Sequence, residues 1–300
     1  MPAPKTAAPR LGAPLAFAAL VTGAVAMGVS PIFVRLADVG PFTSAFWRVA
    51  LALPALYAWM RLEGRGAAPG PRFSRAVILS GLAFTGDLLF WHLAIVKTTV
   101  ANATFFATTA PLWVVLVGWL FFRDRVSGAV LLGLALCLAG GGALVGQSFQ
   151  IAPQRVIGDF YGVVTAVFFG LYFLTVTAAR KNAGAAQVTF EMTVITAALL
   201  FLVAVTLESR FWPQSINGWA ALLGMALISH AGGQGLLSVA LGRLPAVFSS
   251  LVIFLEAIAA SLFGWLILNE AVTPLQGLGG LIILAGIWVA RPRKALHDGI

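Results

Sequence analysis

Ten apolar stretches, each close to the length that crosses a bilayer, follow one another along the 300 residues with little chain between them. A spanning helix needs about 20 apolar residues, set by the hydrocarbon thickness and the rise per residue. The stretches are 13–34, 43–60, 75–96, 100–122, 127–146, 158–179, 187–206, 217–241, 245–268 and 273–290. Polar or helix-breaking residues separate them: Asp38-Val39-Gly40-Pro41, Glu63-Gly64-Arg65-Gly66 on to Pro71, Arg123-Asp124-Arg125, Pro153, Trp212-Pro213 and Asn269-Glu270. No connection is long enough for a soluble domain. The expected fold class is an all-α membrane protein of ten transmembrane helices.

Composition agrees. The chain is 60% hydrophobic and 10% charged, against about 25% charged in soluble domains, so its apolar surplus must face lipid. The net charge of +9 does not describe a nucleic-acid surface, because the basic residues sit in short connections between apolar runs. The one cysteine, Cys137, lies inside an apolar run, which excludes an internal disulfide or a cysteine metal site. No cofactor and no metal site are expected. Lys5 and Arg10 before the first stretch resemble a signal peptide, but that stretch exceeds the about 7–15 residues of a signal core, so an uncleaved first helix is expected.

With an even number of spans both ends lie on one side. That side collects Lys5, Arg10, Arg61, Arg65, Arg72, Arg75, Arg123, Arg125, Arg180, Lys181, Arg243, Arg291, Arg293 and Lys294, whereas the other holds Arg35, Lys97, Arg155 and Arg210. The positive-inside rule then places both termini in the cytoplasm, in a multi-pass protein of a bacterial inner membrane.

The chain also repeats itself at an offset of 146 residues. Gly118-Trp119-Leu120 falls on Gly264-Trp265-Leu266, Asp124 on Glu270, Val126 on Val272, and Gly133 and Gly140 on Gly279 and Gly286. The division expected is a tail at 1–12, a first repeat at 13–147, a connecting loop at 148–157, a second repeat at 158–291 and a tail at 292–300. Five spans per repeat is an odd number, so the second copy must be inverted. Inverted repeats let two equivalent halves exchange conformations about one midplane site, the architecture of alternating access.

At these residues the sequence resembles the drug/metabolite transporter superfamily in its ten-helix, EamA-type branch, over about residues 12–293. Phe46-Trp47-Arg48-Val49-Ala50 looks like that branch's second helix. Leu255-Glu256-Ala257-Ile258-Ala259-Ala260 with Gly264-Trp265-Leu266-Ile267-Leu268-Asn269-Glu270 resembles its ninth, and Thr273-Pro274-Leu275-Gln276-Gly277-Leu278-Gly279-Gly280 its tenth. Ala257 departs from the pattern, where the branch often has proline; the first repeat keeps its equivalent, Pro111. The resemblance implies a secondary transporter exporting small organic metabolites such as amino acids. It also implies a cavity walled by spans 1, 3, 4, 6, 8 and 9, with spans 5 and 10 apart and close together. Bacterial aromatic amino-acid exporters are the nearest in kind. A nucleotide-sugar or drug carrier of the same superfamily and a passive channel remain the alternatives.

Charged groups inside the bilayer are costly and mark function or pairing. They number few here: Arg48, Asp87, His92, Glu191, His230 and Glu256. Asp87 shares a helical face with Phe84 and Trp91, and reads as a cavity acid beside aromatic surfaces or as an assembly pair. Glu256 shares a face with Ser249 and reads as an acid that binds a substrate amine or carries a coupling proton, or as a structural acid bonded to a neighbouring helix. His230 and Gln234 lie one turn apart among glycines. Phe105, Thr109, Phe168 and Tyr172 complete the candidate cavity as polar or flat surfaces for a small-molecule substrate. Arg48 is expected in a structural or interfacial role, snorkelling or paired. Asp124 and Glu270 flank turns and are expected to cap them.

Other functions lack their signatures. There is no GxSxG, HExxH or HxxxxD arrangement for an intramembrane enzyme and no phosphate-binding loop for a pump. A channel needs a continuous polar lining and often oligomeric symmetry, whereas this chain carries its own internal pseudo-symmetry. The expected partners are a small molecule and the lipid bilayer, with no nucleic acid.

Overall fold

In hydrocarbon every backbone N–H and C=O must be satisfied within the protein, and a helix achieves this along a single segment. The computed structural model describes residues 12–64, 70–123, 126–146, 153–268 and 271–292. They form ten helical spans, several of them broken. These are α1 (Ala13–Gly28 and Ser30–Leu36), α2 (Pro41–Ala50 and Leu53–Glu63), α3 (Arg75–Lys97), α4 (Val100–Thr108 and Ala110–Phe122), α5 (Gly128–Val145) and α6 (Val156–Ala179). The second half holds α7 (Ala185–Leu207), α8 (Ile216–Gly224, Met225–Gln234 and Gly235–Leu241), α9 (Ala246–Val252 and Phe254–Leu268) and α10 (Pro274–Ala290). Eight of the ten are long and apolar enough to cross a bilayer by that measure alone. α10 is shorter at 17 residues, and α2 is divided into segments of 10 and 11. Asp124 and Glu270, expected as turn caps, lie outside the described residues.

The inversion is visible in how equivalent helices meet. α5 and α10 pack along their length through the glycines that the repeat superimposes. A Cβ added at Gly140 would stand 2.6 Å from the Gly279 carbonyl oxygen, and one at Gly133 2.6 Å from that of Gly286. Gly133 and Gly140 correspond to Gly279 and Gly286, yet the contacts cross over, 140 to 279 and 133 to 286. Only antiparallel copies related by a two-fold axis in the membrane plane contact this way. Cys137 sits at that axis: its thiol lies 3.7 Å from the carbonyl oxygen of Ile283, its own counterpart. Close backbone approach through small residues is how helices associate where lipid removes the hydrophobic drive.

The breaks have local causes. Val29, Leu51–Ala52 and Thr109 interrupt α1, α2 and α4 just before Pro31, Pro54 and Pro111, whose rings cannot donate to the helix ladder. α9 breaks at Ile253 without the proline that Ala257 replaces. There Ser250 Oγ donates 2.8 Å to the Val247 carbonyl, a back-bond that bends helices. α8 winds as a π-helix over Met225–Gln234, a geometry frequent at functional sites. Its Gly233 lies against Met27 of α1, where a Cβ would meet the Met27 side chain at 2.6 Å.

Candidate functional site

The discontinuities converge on one small interior cavity of about 30 Å³. Met27 enters just before the α1 break, Thr108 just before that in α4, Gln234 from the end of the π segment and Glu256 just after the break in α9. Arg48 comes from the last turn of the first α2 segment. Asp87, Leu88 and Trp91 come from α3, Thr104 and Ala107 from α4, and Phe169 from α6. The walls therefore draw on spans 1, 3, 4, 6, 8 and 9, and on span 2 through Arg48. α5 and α10 contribute none.

One cation and two acids face this space. Arg48 is 4% exposed and Asp87 7%. The Arg48 guanidinium carbon lies 5.5 Å above the Trp91 ring, a cation–π position that holds the planar group in place. It is within Coulombic range of Asp87, Glu256 and Tyr172. Such charges are expensive in a bilayer unless they meet one another or a charged guest. Among the described residues neither carboxylate accepts a hydrogen bond, and the Arg48 Nε and Gln234 Oε1 atoms are buried without a partner. Donor and acceptor capacity is therefore left unused in the residues that line the cavity.

An aromatic layer lies alongside. Phe84 sits 5.1 Å from Tyr172 and stacks at 5.3 Å on the His230 ring. Thr193 Oγ1 donates to the Thr189 carbonyl at 2.6 Å, so the 2.9 Å contact between Thr193 and His230 Nε2 has the imidazole N–H donating. His92 is fully buried, with Nδ1 2.8 Å from the Leu88 carbonyl. Glu191 is also buried, accepting from the Phe73 N–H at 2.8 Å and from the Gln187 amide at 3.0 Å.

Of the residues singled out from sequence, the cavity gathers Asp87, Trp91, Gln234 and Glu256. Phe84, Tyr172 and His230 form the adjoining layer. Phe168 stacks on Phe90 and packs against Gly86, while its neighbour Phe169 is the one that lines the space. Phe105 lies against Gly141 of α5. Thr109 donates at 2.6 Å to the Phe106 carbonyl at the α4 break, and Ser249 is buried in α9; neither reaches the cavity wall. Arg48 faces the interior and does not snorkel. Met27, Thr104 and Thr108 went unnoticed in sequence. Thr104 and Thr108 do lie one turn apart, a spacing that signals a shared face. The described residues hold no cluster of three or more metal-ligating side chains.

Two inverted five-helix copies around a charged interior cavity define a polytopic membrane protein of the transporter class. The EamA-like transporter family matches residues 14–145 and 156–291, and the chain belongs to that family. It is 26% identical over 273 residues to an uncharacterized transporter of Archaeoglobus fulgidus, covering 88% of this chain and 92% of that one. It is likewise 26% identical over 252 residues to the pseudopaline exporter CntI of Pseudomonas aeruginosa, covering 83% and 86%. A crystal structure superimposes with a TM-score of 0.76 at 19% identity, covering 92% of this chain and 94% of the other, which establishes the shared fold.

Proposed function

We propose that the protein is a secondary exporter of amino acids, favouring aromatic and apolar ones, that works by alternating access through the cavity between its repeats. The supporting observation is that Arg48, Asp87 and Glu256 line one space together. An amino acid carries both a carboxylate and an ammonium. Arg48 suits the first by its planar fork of donors, and the two acids suit the second. Trp91 and Phe169 offer flat apolar surface to a side chain, and Gln234 adds an amide. A sugar phosphate would need more cations than the one present here.

The cavity of about 30 Å³ has room for a water molecule, whereas sites for small molecules run to about 300–1,000 Å³. Binding therefore requires the walls to part. The breaks in α1, α4, α8 and α9 place hinges where each wall meets the space. The two halves then tilt oppositely, opening the cavity to one face and then the other. Both termini are assigned to the cytoplasm of a bacterial inner membrane on the distribution of Lys and Arg. The relative that bears the name of an exporter supports the direction of transport.

Counterflow in proteoliposomes tests this reading. Vesicles preloaded with unlabelled phenylalanine or leucine should accumulate the labelled amino acid transiently and saturably, with sugar phosphates failing to compete. Flux that never saturates, or current without counterflow, would leave a passive channel instead.

A further inference from the structure

A second, larger hollow lies away from the central cavity. It is a cleft of about 370 Å³ at the end of the bundle where α1 begins and α10 finishes. Phe17 and Val21 of α1 form one wall, Phe248 and Leu255 of α9 the floor, and Ile287 with Trp288 of α10 the other wall. The Phe17 and Phe248 rings stack at 6.1 Å. Phe17 and Trp288 are exposed on the outer surface, so the cleft faces lipid. At its mouth, Arg291 follows the last turn of α10, its guanidinium carbon 4.5 Å above the Trp288 ring.

We propose that this cleft binds one anionic phospholipid, with an acyl chain between α1, α9 and α10 and the phosphate on Arg291. The apolar interior offers water no partners, so in a bilayer hydrocarbon fills it. A guanidinium fixed on an indole at headgroup depth is a directed phosphate donor, in contrast to a freely moving surface charge. The lining carries no acidic side chain to repel an anion. The lipid would also wedge between α1 and α9, which wall the central cavity through Met27 and Glu256.

The full-length chain, stripped of lipid in mild detergent, is titrated with phosphatidylglycerol or with phosphatidylcholine of the same acyl chains. Native mass spectrometry counts bound lipid and a melting assay follows stability. One phosphatidylglycerol should be retained at least tenfold more tightly than phosphatidylcholine. Arg291→Gln should erase that preference, and Val21→Trp, which fills the cleft, should reduce binding of both lipids. Arg243→Gln, an exposed basic residue at the same end of the bundle, should change nothing. Glycerol phosphate should not bind. Equal retention of both lipids, full preference in Arg291→Gln, loss of preference in Arg243→Gln, or a protein dimer in place of a lipid adduct would each overturn the assignment.

Discussion

Glu63 and Glu208 cap each other's helices. Glu63 ends α2, and its carboxylate accepts from the backbone N–H groups of Ala185 and Ala186, both at 2.9 Å, at the start of α7. Glu208 ends α7, and its carboxylate accepts from Phe42 at 2.8 Å and Thr43 at 2.9 Å at the start of α2. The first N–H groups of a helix have no partner inside it, and its N-terminus carries partial positive charge. Each acid meets both needs for the other helix. Because α2 and α7 are equivalent in the two repeats, the inverted pair is tied at both membrane faces by one device used twice. The caps join α2 to α7 as a unit.

Glu63→Ala and Glu208→Ala should therefore each destabilise the protein by about 1–2 kcal/mol, the usual scale for a lost helix cap. The caps lie at opposite ends of a helix about 34 Å long, so the double variant should show the sum of the two losses. Gly40 and Gly184, the residues before the capped helices, leave the space that each carboxylate occupies. Gly184→Ala should cost about as much as Glu63→Ala, with little further loss when the two are combined. Melting of the purified variants in detergent measures this; full additivity of Gly184→Ala with Glu63→Ala would show the glycine serving something else.

The crossed glycine contacts of α5 and α10 lead to a symmetric expectation. Enlarging a residue in a closely packed seam costs about 1–3 kcal/mol. Gly140→Leu and Gly279→Leu occupy the two sides of one contact, as do Gly133→Leu and Gly286→Leu, so all four should lower the melting temperature to a similar degree. Gly277→Leu, where an added side chain meets open space, should be tolerated. Loss of stability at Gly277 with none at Gly140 would show that the seam is not where the two repeats are held.

Cysteine labelling reads the topology directly. Cys137 is fully buried beneath Ile283 and should stay unmodified by a maleimide in the folded protein, reacting only after denaturation. In a Cys137→Ala background, cysteines at Gly12 and Arg243 should label from one side of sealed vesicles, and those at Lys97 and Gln214 from the other. Lys97 and Arg243, equivalent positions at the 146-residue offset, labelling from the same side would contradict the inverted arrangement.

The ten spans and their inversion were legible because a bilayer demands long apolar runs and an odd five-span repeat leaves one way for the second copy to run. What was not legible came from side-chain direction and long-range contact. Arg48 near the start of a span reads as a snorkelling residue, and only the packing of α2 against α3 and α7 turns it inward. Phe168 and Phe169 are neighbours in an apolar run, and helix rotation alone decides which lines the cavity. The α9 break carries no proline, because a serine back-bond replaces it. The Glu63 and Glu208 caps join residues more than a hundred positions apart, and nothing local to either marks its target.

The cavity residues carry the last expectation. Asp87→Asn and Glu256→Gln each remove a charge facing the space without changing its shape, and Gln234→Ala removes an amide. A hydrogen bond to a charged group contributes about 1.5–3 kcal/mol, so the apparent affinity for an amino acid should fall about 10- to 100-fold in each. Asp124→Asn, outside the transmembrane cavity by sequence, should transport almost as the parent does. Arg48→Lys keeps the positive charge but loses the flat fork and its seat on Trp91. It should weaken competition by amino acids while competition by the corresponding amines, which lack the carboxylate, stays near its parental level. Concentration dependence of counterflow, measured for a matched amino acid and amine, separates these outcomes. Equal weakening of both ligands by Arg48→Lys would mean that the guanidinium shapes the cavity without reading the carboxylate.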